Sequence, residues 1–177
     1  MAKHQWTADS NHSEITFKIR HLMITNVTGK FNSFTVDAET EEEDFMTAKA
    51  NVTIDVDSIA TGTNDRDQHL RSPDFFDVNK YRNITFTATK YVSIDNDGSY
   101  ELYGDLTIRD ITKNIKLSVE FGGVVKDPWG NTKAGFTING KINRKDFGLT
   151  WNAATESGGV MVSDEVKINC EIQLIKK

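Results

Sequence analysis

The chain has 177 residues, with 21 Lys plus Arg against 26 Asp plus Glu and a formal net charge of −5, which excludes a basic nucleic-acid grip. At 37% hydrophobic and 10% aromatic residues it can bury the core of one domain, taken as residues 1–177. The single cysteine, Cys170, excludes an internal disulfide, and no run of about 18 uncharged apolar residues exists to cross a membrane as a helix.

The opening Met1-Ala2-Lys3-His4-Gln5-Trp6 lacks the apolar run of a leader. As given, the chain is expected in the cytoplasm, or in the periplasm if the sequence is a trimmed mature form. Downstream, Ile15, Phe17 and Ile19 alternate with Glu14, Thr16, Lys18 and Arg20, the period of two of a half-buried strand, and His21 falls on the apolar side. The alternation returns at Phe34, Val36 and Ala38, at Ala50, Val52, Ile54 and Val56, and at Ile84, Phe86 and Ala88. The acidic run Glu39 to Asp44 between two of these patterns reads as a solvated loop.

Between the third and fourth strands the pattern changes. Asn64 precedes Asp65 and Asp67 as an N-cap would, and Ser72-Pro73 places proline at the start of a second short helix, so a helical segment is expected near residues 64–77. Four more strands follow: Leu102, Gly104, Leu106 and Ile108; Ile115, Leu117, Val119 and Phe121; Phe136, Ile138, Gly140 and Ile142; and Val166 to Leu174.

The connections are short, with turns expected at Asp95-Asn96-Asp97-Gly98, at Asp110-Ile111-Thr112 and at Asp127 to Asn131. These elements predict an all-β fold: an antiparallel up-and-down barrel of about eight strands, lipocalin-like, with a short helical lid between strands 3 and 4. A filled sandwich is the alternative. Gly104 and Gly140 sit in phase with the inward face and read equally well as room for a ligand or as bends in the wall.

Trp6, Asp9, His12-Ser13, Phe17, His21, Gly29, Phe31 and Phe34, the central block Arg66 to Asp77, Gly104 to Ile108 with Thr112, Arg144 to Leu149, and Asp164-Glu165-Val166 together resemble the YceI-like family of lipocalin-like polyisoprenoid-binding proteins. The motifs span nearly the whole chain in order. Two positions depart from the pattern: Tyr81-Arg82 stands where a Tyr-Pro pair is usual, and Asp110 where glycine is common. Both fall in loops.

The resemblance implies a bacterial protein that takes a long amphiphile, such as an isoprenoid quinone or polyprenyl chain, into the barrel as carrier, store or sequestering protein. Inward parity nominates Phe17, Ile19, Val52, Ile54, Phe86, Leu106, Leu117, Val119, Phe136 and Ile138, with Phe75 and Phe76 on the lid. Each alone is better explained as ordinary core, and the nomination rests on the set as a whole. His21 is placed to bond a quinone carbonyl or alcohol head, its rival reading being a buried imidazole bonded to backbone. Arg144 and Asp146 straddle Lys145 and are expected to pair near the mouth, at a head group or as a structural ion pair.

Other chemistry is weakly encoded. Asp9, His12 and Ser13 are poorly spaced for a triad. Asp65 and His69 share a helix face but lack a third metal ligand. Cys170 reads as an inert small hydrophobe, and Gly158-Gly159 as a loop with no phosphate-binding motif. No enzyme activity, cofactor or metal is therefore expected. A barrel enzyme on a lipid-like substrate and a ligand-free interaction module are the alternatives, and the resemblance leaves a homodimer open.

Overall fold

The computed structural model describes residues 2–153 and 161–177; Gly158-Gly159 lies outside them. Its strands are β1 (Lys3–Ala8), β2 (Glu14–His21), β3 (Thr25–Phe31), β4 (Phe34–Glu41), β5 (Asp44–Asp55), β6 (Ile59–Ala60), β7 (Asn83–Ser93), β8 (Ser99–Ile108), β9 (Ile111–Lys126), β10 (Thr132–Asn143) and β11 (Val162–Lys176), with helix α1 (Asn64–Arg71) between β6 and β7.

All pairings are antiparallel, and β1 closes the ring by pairing with β11. Three of the eight barrel staves are broken strands. β2 and β1 lie end to end along β11, at Glu14↔Glu171 and Ala8↔Leu174. β3 and β4 lie in the same way along β2 and β1. β6 and β5 follow along β3 and β4. The result is the expected closed, eight-staved meander with one short helix.

Two elements escaped the periodicity. In β1 only Trp6 is fully buried, so there is little alternation to read. In β3 the inward position between Val27 and Phe31 is Gly29, which hides the pattern. A Cβ at Gly29 would collide with the Phe17 ring, and one at Gly104 with the Phe86 ring. Both rings therefore lie flat against the wall over a glycine instead of standing into the lumen. Gly140 is covered by Leu117 in the same way, so these glycines make room for wall side chains and not directly for a guest.

Two local expectations change, and the β2–β3 turn adds an unusual backbone. Helix α1 starts at Asn64 with Thr63 as N-cap, and residues after Ser72 form turns instead of a second helix. The β8–β9 turn is Arg109-Asp110, with Arg109 at φ 57°, while Ile111 and Thr112 already pair with Ile108 and Thr107. The β2–β3 turn places Leu22 and Met23 at φ 52° and 60° and leaves Leu22, Met23 and Ile24 exposed.

Candidate ligand-binding site

A cavity of about 570 Å³ runs along the barrel axis, lined by side chains from β2 to β5 and β7 to β11, within the size range of a single small-molecule site. Its two ends differ. At the floor, Phe45 and Phe136 face the cavity and pack 4.9 Å apart, centroid to centroid. Behind them Trp6 lies 4.8 Å from Phe45, and Phe121 lies 5.5 Å from Phe45 and 5.2 Å from Phe136. Trp6 is only 1% exposed, and its Nε1 donates to Thr40 Oγ1 at 2.9 Å.

At the opposite end α1 forms a polar roof. It turns Asp65, Arg66, His69 and Leu70 to the cavity and has no fully buried residue. Polar bonds hold it in place: Thr61 N and Oγ1 donate to Asp67 Oδ1 at 2.8 and 2.5 Å, and Arg66 Nε donates to Thr61 Oγ1 at 2.7 Å. Arg71 Nη2 reaches Ile59 O at 3.1 Å.

His69 fastens the roof to the next loop. Its Nε2 bonds Asp74 Oδ2 at 2.9 Å, and its ring stands edge-on to Trp151 at 4.7 Å and Phe75 at 5.1 Å. With Nε2 engaged by Asp74, His69 is part of the lid. No cluster of three metal-ligating side chains occurs among the described residues.

All the nominated contacts except Val119 and Asp146 line the cavity: Phe17, Ile19, His21, Val52, Ile54, Phe75, Phe76, Phe86, Leu106, Leu117, Phe136, Ile138 and Arg144. Val119 is inward and 2% exposed but lies in the packed wall, while its register partners Tyr100 and Ile138 reach the lumen. Asp146 is exposed and makes no pair with Arg144.

The Arg144 guanidinium, 2% exposed, instead donates mainly to backbone carbonyls, with the Asp164 carboxylate 3.9 Å from Nη2. Nε donates to Ser163 O at 2.8 Å, and Nη1 to Leu149 O at 2.6 Å and Trp151 O at 2.8 Å. The 3-10 turn Arg144–Phe147 explains the difference, because two positions apart on a helical turn do not share a face as they do on a strand. Arg144 positions Trp151 and through it the lid.

His21 lines the cavity at half burial, and among the described residues its ring has no hydrogen-bond partner, so the backbone bond of the rival reading is not made there. Arg66 Nη1 is likewise unpartnered among the described residues. The roof therefore offers donors at Arg66 and His21 and an acceptor at Asp65. Lower in the barrel, burial pushes the Cys170 thiol and the Tyr91 hydroxyl each up to about 12, and raises Tyr100 as well. Tyr91 donates to Ala48 O at 3.0 Å.

Phe45 and Tyr91 were missed because their strands change phase. The β4–β5 register shifts between Glu39 and Glu41, and the β7–β8 register between Ala88 and Lys90. Each irregularity turns an odd-numbered residue inward on a strand whose periodic run has even inward positions, after Phe45 on β5 and before Tyr91 on β7. A helix-parity reading of Arg66 beside Leu70 was available in the sequence; the phase changes were not.

The Asp9–His12–Ser13 region does not form a triad. His12 Nδ1 meets Asp9 Oδ2 at 2.8 Å, but Ser13 Oγ donates to the carbonyl of Gln173, and Asp9 is also bound by Lys133 Nζ at 2.8 Å.

Fold and cavity together define an up-and-down β-barrel with an internal apolar chamber, closed at one end and lidded at the other. Residues 6–174 match the YceI-like domain, and the chain belongs to the YceI-like family. The UPF0312 protein of Staphylococcus aureus strain MSSA476 is 41% identical over 169 residues, covering 95% of each chain. The Campylobacter jejuni YceI protein superposes with a TM-score of 0.76 at 38% identity over 90% of this chain and 91% of that one. Burkholderia cenocepacia BcnA has the same fold, with a TM-score of 0.80 at 20% identity over 94% of this chain and 98% of its own. So does a domain of Saccharophagus degradans described as polyisoprenoid-binding, with a TM-score of 0.68 at 15% identity, covering 97% and 98%.

Proposed function

We propose that the chain binds one long amphiphile, with an isoprenoid or similar apolar tail in the barrel and its polar head under α1, as a carrier, store or sequestering protein. The observation that carries this reading is the polarity gradient of one continuous cavity, from the aromatic floor at Phe45 and Phe136 to the donors and acceptor of Arg66, His21 and Asp65. Burying each methylene contributes about 0.8 kcal/mol, so about ten of them offset an association cost of several kcal/mol. The tail supplies affinity, and the roof sets which end enters first. The fold shared with a domain described as polyisoprenoid-binding supports the same class of ligand.

The test is organic extraction of the purified chain followed by mass spectrometry, together with uptake of an added isoprenoid quinone. A co-purifying or captured amphiphile is the expected result. An empty extract with no quinone uptake overturns the reading.

A further inference from the structure

The side walls of the cavity and its floor are built differently. Along the walls the lining is largely aliphatic, with Phe17 and Phe86 laid flat over Gly29 and Gly104. Across the floor, Phe45 faces the cavity and is backed by a second layer, Trp6 and Phe121, at centroid distances of 4.8 and 5.5 Å. The second layer is itself fixed: Trp6 Nε1 donates to Thr40 Oγ1, and Thr40 Oγ1 donates to Glu42 O at 2.7 Å. Aromatic side chains have few rotatable bonds, and close-packed rings have no void to yield into, so this end resists being pushed back. A flexible wall accommodates a tail by rotamer changes, whereas a two-layer aromatic stop does not.

We propose that Phe45, flanked by Phe136 and backed by Trp6 and Phe121, gauges tail length, so that the site selects amphiphiles whose apolar chain reaches from α1 to the Phe45 ring and gains nothing from a longer one. This rests on the reading that an apolar chain fills the cavity. The gauge sits on a strand that also carries Ala48, a small residue lining the same part of the cavity, which allows the stop to be moved in either direction.

The experiment titrates the full chain with straight-chain 1-alkanols lengthened one carbon at a time. Affinity is expected to rise about fourfold per methylene, the equivalent of about 0.8 kcal/mol, up to a break length beyond which it stops rising. Phe45→Ala is expected to move that break longer by about two to four carbons, Phe45→Leu by less, and Ala48→Leu to move it shorter. Far-UV circular dichroism establishes which variants fold; Phe45→Leu and Ala48→Leu decide the matter if Phe45→Ala does not. A break that stays put in folded variants overturns the gauge and leaves the lipid-binding reading standing. Failure of the unsubstituted chain to take up any alkanol overturns that reading and the gauge with it.

Discussion

At the floor of the barrel Phe45, Phe121 and Phe136 pack on one another at centroid distances of 4.9 to 5.5 Å, and Trp6, sealed from solvent, packs on Phe45 at 4.8 Å. At the roof an eight-residue helix with no fully buried residue is held by hydrogen bonds through Thr61, Arg66, Asp67 and Arg71. The difference assigns the two ends different work. Apolar burial is the main source of stability, while polar bonds exchanged with water contribute little net and are easily remade. The floor is thus the more stable end of the barrel and the roof the end that opens more easily, since regions with little apolar burial open at low free-energy cost.

The sharpest way to break this comparison is to truncate one large aromatic at each end. Trp6→Ala is expected to cost about 3–5 kcal/mol of folding stability, against about 1–2 kcal/mol for half-buried Trp151→Ala. Urea unfolding midpoints followed by circular dichroism measure both, and equal losses would erase the distinction. Trp151→Ala is also expected to speed release of a bound amphiphile, because it removes the partner of His69 on the lid.

A smaller effect lies beside the floor, where Asp9 is held by Lys133 at 2.8 Å and its carboxyl pKa falls from 3.8 to about 2. The leading cause is the Lys133 hydrogen bond, followed by burial, which opposes it, and the His12 hydrogen bond, which assists. The folded-state value lies below the unfolded one, so the stabilisation, about 2 kcal/mol, is complete above about pH 4 and is lost as the pH drops towards about 2. Asp9→Asn should therefore be less stable at neutral pH and converge with the unsubstituted chain in acid. A gap that persists unchanged at low pH would separate Asp9 from this role.

The smallest effect belongs to the rim at the lid end. Leu22 and Met23 occupy left-handed backbone conformations, at φ 52° and 60°, where side chains other than Asn and Gly are penalised. The double substitution Leu22→Asn, Met23→Gly is expected to stabilise by about 1 kcal/mol and raise Tm by about 2–4 °C. A fall in Tm would show that the exposed apolar pair contributes packing of its own.

Much of the barrel was legible because one face of each long strand is buried, and the period of two from Ile84 to Ala88 or from Leu102 to Ile108 records that burial directly. The helix was legible from its cap chemistry, although its N-cap is Thr63 and not Asn64. Arg144 with Asp146 was misread because strand parity was carried into a 3-10 turn. Phe45 and Tyr91 were invisible because a register shift lies between them and the periodic run that would have announced them.

By itself the order of residues determined the number of staves, their antiparallel succession and the apolar character of the interior, since each depends on neighbours along one strand. Only the tertiary structure decided that the interior is hollow, that four aromatics from distant strands meet to stop one end, and that Arg144 serves backbone carbonyls. Those depend on where the ring closes and where its register slips, and closure is a relation between chain ends that no local pattern contains.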